Sequence, residues 1–218
     1  LTDQQLWLGK TPYRLIKELG RGKSAISYLY QCQGERDVDG LPDQVVLKHY
    51  RPTPEQIIPF SQTLEFELCS YHRLQKSDIS HPRLLAFCAD AYCLVKEFIA
   101  GEVIIDLLVE QGLDDRHFRP IFTMAKQVQQ AGWHIDYYPA NFVLNEQGLF
   151  YIDYEAHPYN AEWDFANWGI FYWLNREGIR RFRESGEITH INKPGQPKPW
   201  DEPFLAQRES LLRRLTPA

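Results

Sequence analysis

"GWHIDYYPANFVLN", residues 132–145, sets His134, Asp136 and Asn141 in H-x-D-x-x-x-x-N order directly ahead of the apolar run FVLN. One reading is a polar turn, because Asp and Asn at turn positions bond their own backbone two residues on. The other is chemical. Asp136 and Asn141 stand five residues apart, and Asp153 follows twelve later at the end of the β-like "GLFYI". Oxygen-bearing side chains at the ends of two short strands can converge on one point. A hard cation takes oxygen ligands from one or two protein groups plus substrate phosphates, so Asn141 and Asp153 suit Mg²⁺. Asp136 suits orienting and deprotonating an attacking hydroxyl. Taken singly, each is read more economically as a turn residue; the set is what points to chemistry.

Around this loop the chain has material for packed interiors. Of its 218 residues, 44% are hydrophobic and 14% aromatic, which argues against disorder and allows one domain or two small lobes. The net charge of −5 gives no basic field to match a nucleic-acid backbone, so no nucleic-acid partner is expected. Cys32, Cys69, Cys88 and Cys93 form no C-x-x-C pair and read as reduced, mostly buried thiols. No run approaches the roughly 18 apolar residues of a membrane span, and "LTDQQLWLGK" lacks the basic start and apolar segment of a signal peptide. The expectation is a cytoplasmic chain with no membrane partner.

The first third alternates β-like runs with turns: residues 13–19, 25–31 and 44–50, the last two separated by the solvated loop "GERDVDGLPD". From Pro59 to Lys76 the apolar residues Phe60, Leu64, Leu68, Tyr71 and Leu74 recur at spacings of three and four, which predicts an amphipathic helix. Two more strands, "RLLAFCA" and "YCLVKEFI", lead to a helical stretch over 103–131, in which Pro120 is expected to start or kink a helix. The domain reading is therefore 1–100, a β-rich part; 101–192, a helical part with the loop; and 193–218, a Pro-rich linker with a C-terminal helix.

Two further anchors lie upstream. Gly20 and Gly22, in "ELGRGKSAISYLY", fall between strand-like runs, where bare backbone amides can approach a phosphate closely; a glycine pair in a hairpin is also simply a turn. Lys48, in the apolar "VVLKHY", is either a solvated strand face or a buried cation that needs a carboxylate. Glu67 on the following helix is the candidate partner. Glu65, two positions away, points elsewhere.

Taken in order, these blocks resemble the protein kinase-like superfamily, which spans eukaryotic-type protein kinases, aminoglycoside phosphotransferases and choline or ethanolamine kinases. "LGRGKSAISYLY" is similar to the glycine-rich loop, "VVLK" to the lysine strand, and "ELCSYHRL" with "HPRLL" to the C-helix and its exit. "LVKEFIAGE" resembles the hinge segment, "HIDYYPANFVL" the catalytic loop, and "YIDYE" the metal-binding D-F-G. The resemblance covers about Tyr13 to Trp173. It implies an α+β, bilobal protein kinase-like fold with a small β-rich N-lobe and a reduced helical C-lobe.

It also implies roles. Lys48 holds the α and β phosphates of ATP and Glu67 braces it; Asp136 is the catalytic base; Asn141 and Asp153 hold Mg²⁺. Gly20 and Gly22 cover the phosphates, and the main chain of Glu97 and Ile99 bonds adenine. His134 braces the loop, Asp164 anchors it from the next helix, and Glu155 is a further metal or substrate candidate. Trp163, Trp168, Tyr172 and Trp173, at roughly helical spacing, read as core.

The departures are specific. Ala25 replaces the third glycine, Lys96 stands where an apolar gatekeeper is usual, and "DYE" lacks the glycine after the aromatic. Tyr138 occupies the place of the lysine that serine/threonine kinases carry two residues after the base, and no A-P-E segment follows. The implied activity is ATP- and Mg²⁺-dependent phosphoryl transfer to a hydroxyl, of the compact, atypical serine/threonine protein kinase kind. The alternatives are a choline- or aminoglycoside-like small-molecule kinase, and a nucleotide-binding pseudokinase module. The acceptor, protein or small molecule, is left open.

Overall fold

The computed structural model describes residues 5–22, 24–51 and 60–215. Pro59, where the expected helix starts, and the first four residues lie outside them. The chain is mixed α+β and forms two compact units: Leu1–Cys69 with Pro82–Ile99, and Ser70–His81 with Ala100–Ala218.

The first unit is built on β1 (Gln5–Leu8), β2 (Thr11–Arg21), β3 (Ala25–Cys32) and β4 (Gln44–Tyr50). It continues through α1 (Phe60–Leu74), whose last turns belong to the second unit, to β5 (Leu84–Cys88) and β6 (Cys93–Glu97). The six strands make one antiparallel sheet in the order β1-β2-β3-β4-β6-β5. The sequence periodicity marks five of these strands; β1 is an addition. Its Leu8 joins Tyr13, Ile26, Tyr28, Tyr30, Val45 and Val95 in the apolar cluster of this unit. Alternation sets the other face: Ser27, Lys48 and Leu94 are paired across β3, β4 and β6, so Lys48 points away from that cluster. The "GERDVDGLPD" loop is exposed, and is tied back where Thr11 Oγ1 donates to Asp37 at 2.5 Å.

In the second unit, β7 (Glu102–Val103) leads into α2 (Ile104–Glu110) and α3 (Asp115–Gln130). The expected helical stretch is broken at Gly112, whose φ of +80° a side chain rarely adopts. Helix α3 begins at Asp115 because Asp114 caps it, in a reciprocal capping box with His117. Pro120 therefore does not start the helix; it lies at the sixth position, inside α3. Strands β8 (Trp133–Ile135), β9 (Phe142–Asn145), β10 (Gly148–Tyr151) and β11 (Ala156–Pro158) follow, then α4 (Ile170–Leu174), α5 (Arg176–Ser185) and α6 (Leu205–Leu215). They pair as two small antiparallel sheets, β10-β9-β7 and β11-β8.

An aromatic hub fills this unit. Trp173, 1% exposed, packs its ring against Phe118, Phe142 and Phe165 with centroids 5.4–6.1 Å apart. Trp163 departs from the core reading: it is exposed and lies on Trp168 at 4.1 Å. The Pro-rich stretch after Ile191 is not an extended linker either. Asn192 bridges Pro199, the Lys193 amide donates to the Lys198 carbonyl, and Lys193 Nζ reaches Asp201 and Glu202. Among the described residues no helix is long and apolar enough to cross a membrane.

Candidate functional site

In the first unit, Lys48 Nζ lies 2.6 Å from Glu67 Oε1, with both side chains largely buried. Glu65 is exposed on the same helix. A lysine on an apolar strand is stable there because a carboxylate from α1, Glu67, reaches it. Lys96 lies on the same face, opposite Val46, and is 6% exposed. Gly20 falls inside β2, opposite Ser27, rather than in the turn; a bulge between it and Glu18 interrupts the register. Gly22 closes the turn, its amide donating to the Ala25 carbonyl at 2.9 Å. An added Cβ would meet nothing within 4 Å at Gly20 and only the Ala25 oxygen, at 3.7 Å, at Gly22. Neither glycine is there for packing.

The Glu97 amide donates to the Arg83 carbonyl at 2.9 Å, and the next amide, of Phe98, to the Gln44 carbonyl at 3.3 Å.

In the second unit, two strand pairs end side by side. Ala156 is opposite Ile135 in the β8–β11 pair, and Asp136 and Glu155 are the next residues outward from these last register partners. Tyr151 is opposite Phe142 in the β9–β10 pair, and beyond it the Ile152 amide donates to the Asn141 carbonyl at 2.8 Å. Asp153 comes one residue later. Asp136 Oδ1 accepts from the Tyr138 amide at 3.0 Å, and Oδ2 accepts from Asn141 Nδ2 at 2.9 Å. The first is the Asx bond of the turn reading. The second is not part of a turn; it joins Asp136 to the other oxygen-bearing residue of the loop.

Electrostatics set this carboxylate apart. Burial, then the charge of Glu155 and more weakly that of Asp153, push Asp136 up to about 6 from 3.8. The hydrogen bonds from Tyr138 and Asn141 oppose the rise without cancelling it. Among the described residues no group of three or more His, Cys, Asp or Glu converges as a metal cage. One carboxylate and one carboxamide, Asp153 and Asn141, fit the alternative in which Mg²⁺ keeps waters and is completed by substrate phosphates.

The loop is held from behind. The Trp173 indole N–H donates to the Tyr137 carbonyl at 2.9 Å, and a Cβ on Gly169 would come within 2.3 Å of Tyr137 Cβ, so glycine permits the close approach. Ser70 Oγ and Arg73 Nη1, both from α1, reach the Ala156 carbonyl, and the Arg73 guanidinium lies 4.9 Å above the Trp133 ring. These contacts place Ala156, and with it Glu155. The sequence carries no signal for them, since they depend on which residues of α1 meet β11.

His134 stacks on His157 at 5.3 Å, and burial holds its imidazole below the ordinary value. His157 Nε2 lies 2.9 Å from Glu155 Oε1. Asp164 accepts from the Asn167 amide and the Tyr159 hydroxyl, capping the helical turn that follows, and its charge reaches His134 and Tyr137 of the loop. Tyr138 sets its ring edge-on to Tyr172 at 5.6 Å.

Compared with known proteins, the chain matches no family model and no curated sequence.

Proposed function

We propose that this chain is an ATP- and Mg²⁺-dependent phosphotransferase of the protein kinase-like superfamily, acting on a hydroxyl in the manner of a compact, atypical serine/threonine protein kinase. The observation that carries the reading is the Asp136–Asn141 pair at the shared end of two strand pairs, beside Asp153 and Glu155. A buried carboxylate that holds its proton more tightly than usual is suited to accept one from an alcohol near neutral pH. Lys48, fixed by Glu67, is assigned the α and β phosphates, and Gly20 with Gly22 the phosphate cover. Adenine is assigned to the main chain of Glu97 and Ile99, and Mg²⁺ to Asn141 and Asp153. The reading includes a bilobal kinase fold and a cytoplasmic setting.

One observation favours a small-molecule acceptor over a protein. Tyr138, where a protein kinase would carry a lysine for the transferring phosphoryl, is packed on Tyr172. A single experiment separates the readings. The protein is incubated with γ-labelled ATP and Mg²⁺, with protein acceptors and with a panel of amino alcohols and sugars, and nucleotide-dependent melting is recorded alongside. Label in a hydroxyl acceptor supports the enzyme and its class identifies the substrate. A melting shift without transfer to any acceptor marks a nucleotide-binding module.

A further inference from the structure

The four cysteines are free thiols, and the expectation that they are mostly buried does not hold: Cys69 and Cys88 are exposed, Cys32 and Cys93 half-buried. Two of them are not placed independently. Cys88 ends β5, Cys93 begins β6, and they are direct partners in the antiparallel register. Residues 89–92 join them in a tight turn closed by the Tyr92 amide on the Ala89 carbonyl at 3.1 Å. Among the described residues no other two cysteines face each other across a strand pair.

Directly opposed residues of antiparallel strands project to one face, with Cα atoms about 4.5 to 5.5 Å apart and Cβ atoms similarly close. A disulfide needs Cα atoms roughly 4.4 to 6.8 Å apart and Cβ vectors that converge, so this register already meets the backbone requirement. The two thiols also sense each other: burial pushes the Cys93 thiol up, and the neighbouring Cys88 adds to the rise. Because β5 is the edge of the sheet, Cys88 opens to solvent while Cys93 sits one strand inside. An exposed thiol that an oxidant reaches first, with a second waiting behind it, is the arrangement of a dithiol that resolves its own mixed disulfide.

We propose that Cys88 and Cys93 are a modification site for low-molecular-weight disulfides, at which the pair closes to one reversible intrachain disulfide. The Cys88 thiolate attacks one sulfur of the small disulfide; that S–S bond breaks, the released thiolate takes a proton, and Cys88 carries the other half. Cys93 then gives its proton to water and attacks the Cys88 sulfur, which expels the second small thiol. Two protein thiols lose two electrons and two protons, and the small disulfide becomes two thiols. The site lies on the sheet face opposite Lys48, so its chemistry is separate from the phosphotransfer reading.

The test uses the whole folded chain with oxidised glutathione, quenched in acid and digested with trypsin. Cleavage after Arg83 and Lys96 puts both cysteines in one peptide, residues 84–96, apart from Cys32 and Cys69. That peptide should lose two hydrogens and carry no glutathione, while exposed Cys69 carries one. Residual glutathione at Cys88 should stay below about one-tenth of chains, since two residues held in register act at an effective concentration above millimolar. Dithiothreitol should restore the starting mass. In Cys93→Ser, Cys88 should hold a stable glutathione. A parent peptide that stays reduced while Cys69 is modified, or that keeps glutathione at Cys88, overturns the proposal. So does a Cys93→Ser chain that takes up none on that peptide.

Discussion

Glu155 bears on Asp136 through its charge, each lying one residue beyond the last register partners of the β8–β11 pair, Ala156 and Ile135. After burial, its negative charge is the largest influence raising Asp136 to about 6. If Asp136 is the base, only its ionised form works, so phosphoryl transfer should fall on the acid side with a midpoint near pH 6. Removing the neighbouring charge in Glu155→Gln relieves part of the repulsion and should move that midpoint to lower pH. A pH–rate profile of parent and variant checks this, and an unmoved acid limb would detach Glu155 from the site.

Lys48→Met is expected to do more than remove a phosphate contact. It takes the cation from a carboxylate 2.6 Å away that is 7% exposed, and breaking such a pair from one side costs on the order of 3 kcal/mol. The single variant should therefore melt earlier than the parent. Lys48→Met with Glu67→Leu should recover most of the stability, because the buried charge goes with its partner. Neither variant should show the parent's ATP-dependent rise in melting temperature. Differential scanning fluorimetry with and without Mg²⁺·ATP measures both effects, and a double variant that still responds to nucleotide would take Lys48 out of the site.

Much of this was legible in the residues. Short β-like runs bounded by turn residues mark β2 to β6, and the spacing of Leu64, Leu68, Tyr71 and Leu74 at three and four residues marks α1. Strand β1 was not, since four residues with Trp7 exposed carry too little pattern. The break between α2 and α3 is not marked by apolar spacing; its signal is the reciprocal cap formed by Asp114 and His117. In the site, Lys48 with Glu67 and Asp136 with Asn141 are close along the chain or on consecutive elements, so spacing brings them together. The fastening of Ala156 by Ser70 and Arg73 links residues more than eighty positions apart, and no local rule contains it.

Trp173 should be sensitive for a reason that its burial alone does not give. Trp173→Phe keeps an aromatic ring in the hub and removes the N–H that serves the Tyr137 carbonyl. A buried acceptor left without its donor costs about 1 to 3 kcal/mol, and the loop bearing Asp136 loses its rear tether. The expected outcome is a lower denaturation midpoint together with a lower transfer rate at saturating ATP. Urea titration and initial rates measure the two, and a variant as active and as stable as the parent would show the tether to be incidental.

Asp136→Asn separates the two readings of the opening loop, and the sign of its effect on stability sharpens the separation. A carboxyl raised from 3.8 to about 6 on folding stabilises the native state fully below its ordinary value, and that contribution is lost as pH rises through about 6. At pH 8 the native state thus carries a buried charge beside Glu155 and Asp153, a penalty on the order of 3 kcal/mol. Asparagine is neutral at every pH and keeps an oxygen for the Tyr138 amide, so the variant should melt above the parent at pH 8. Near pH 4 the advantage should vanish, because the parent carboxyl is then protonated. Transfer should behave oppositely. The positioned base acts chiefly in the transition state, and its loss lowers the rate on the order of 10²- to 10⁴-fold while ATP affinity changes little. A more stable and inactive protein is what a catalytic Asp136 requires. A more stable protein that transfers phosphate at the parent's rate would make residues 132–145 a polar turn.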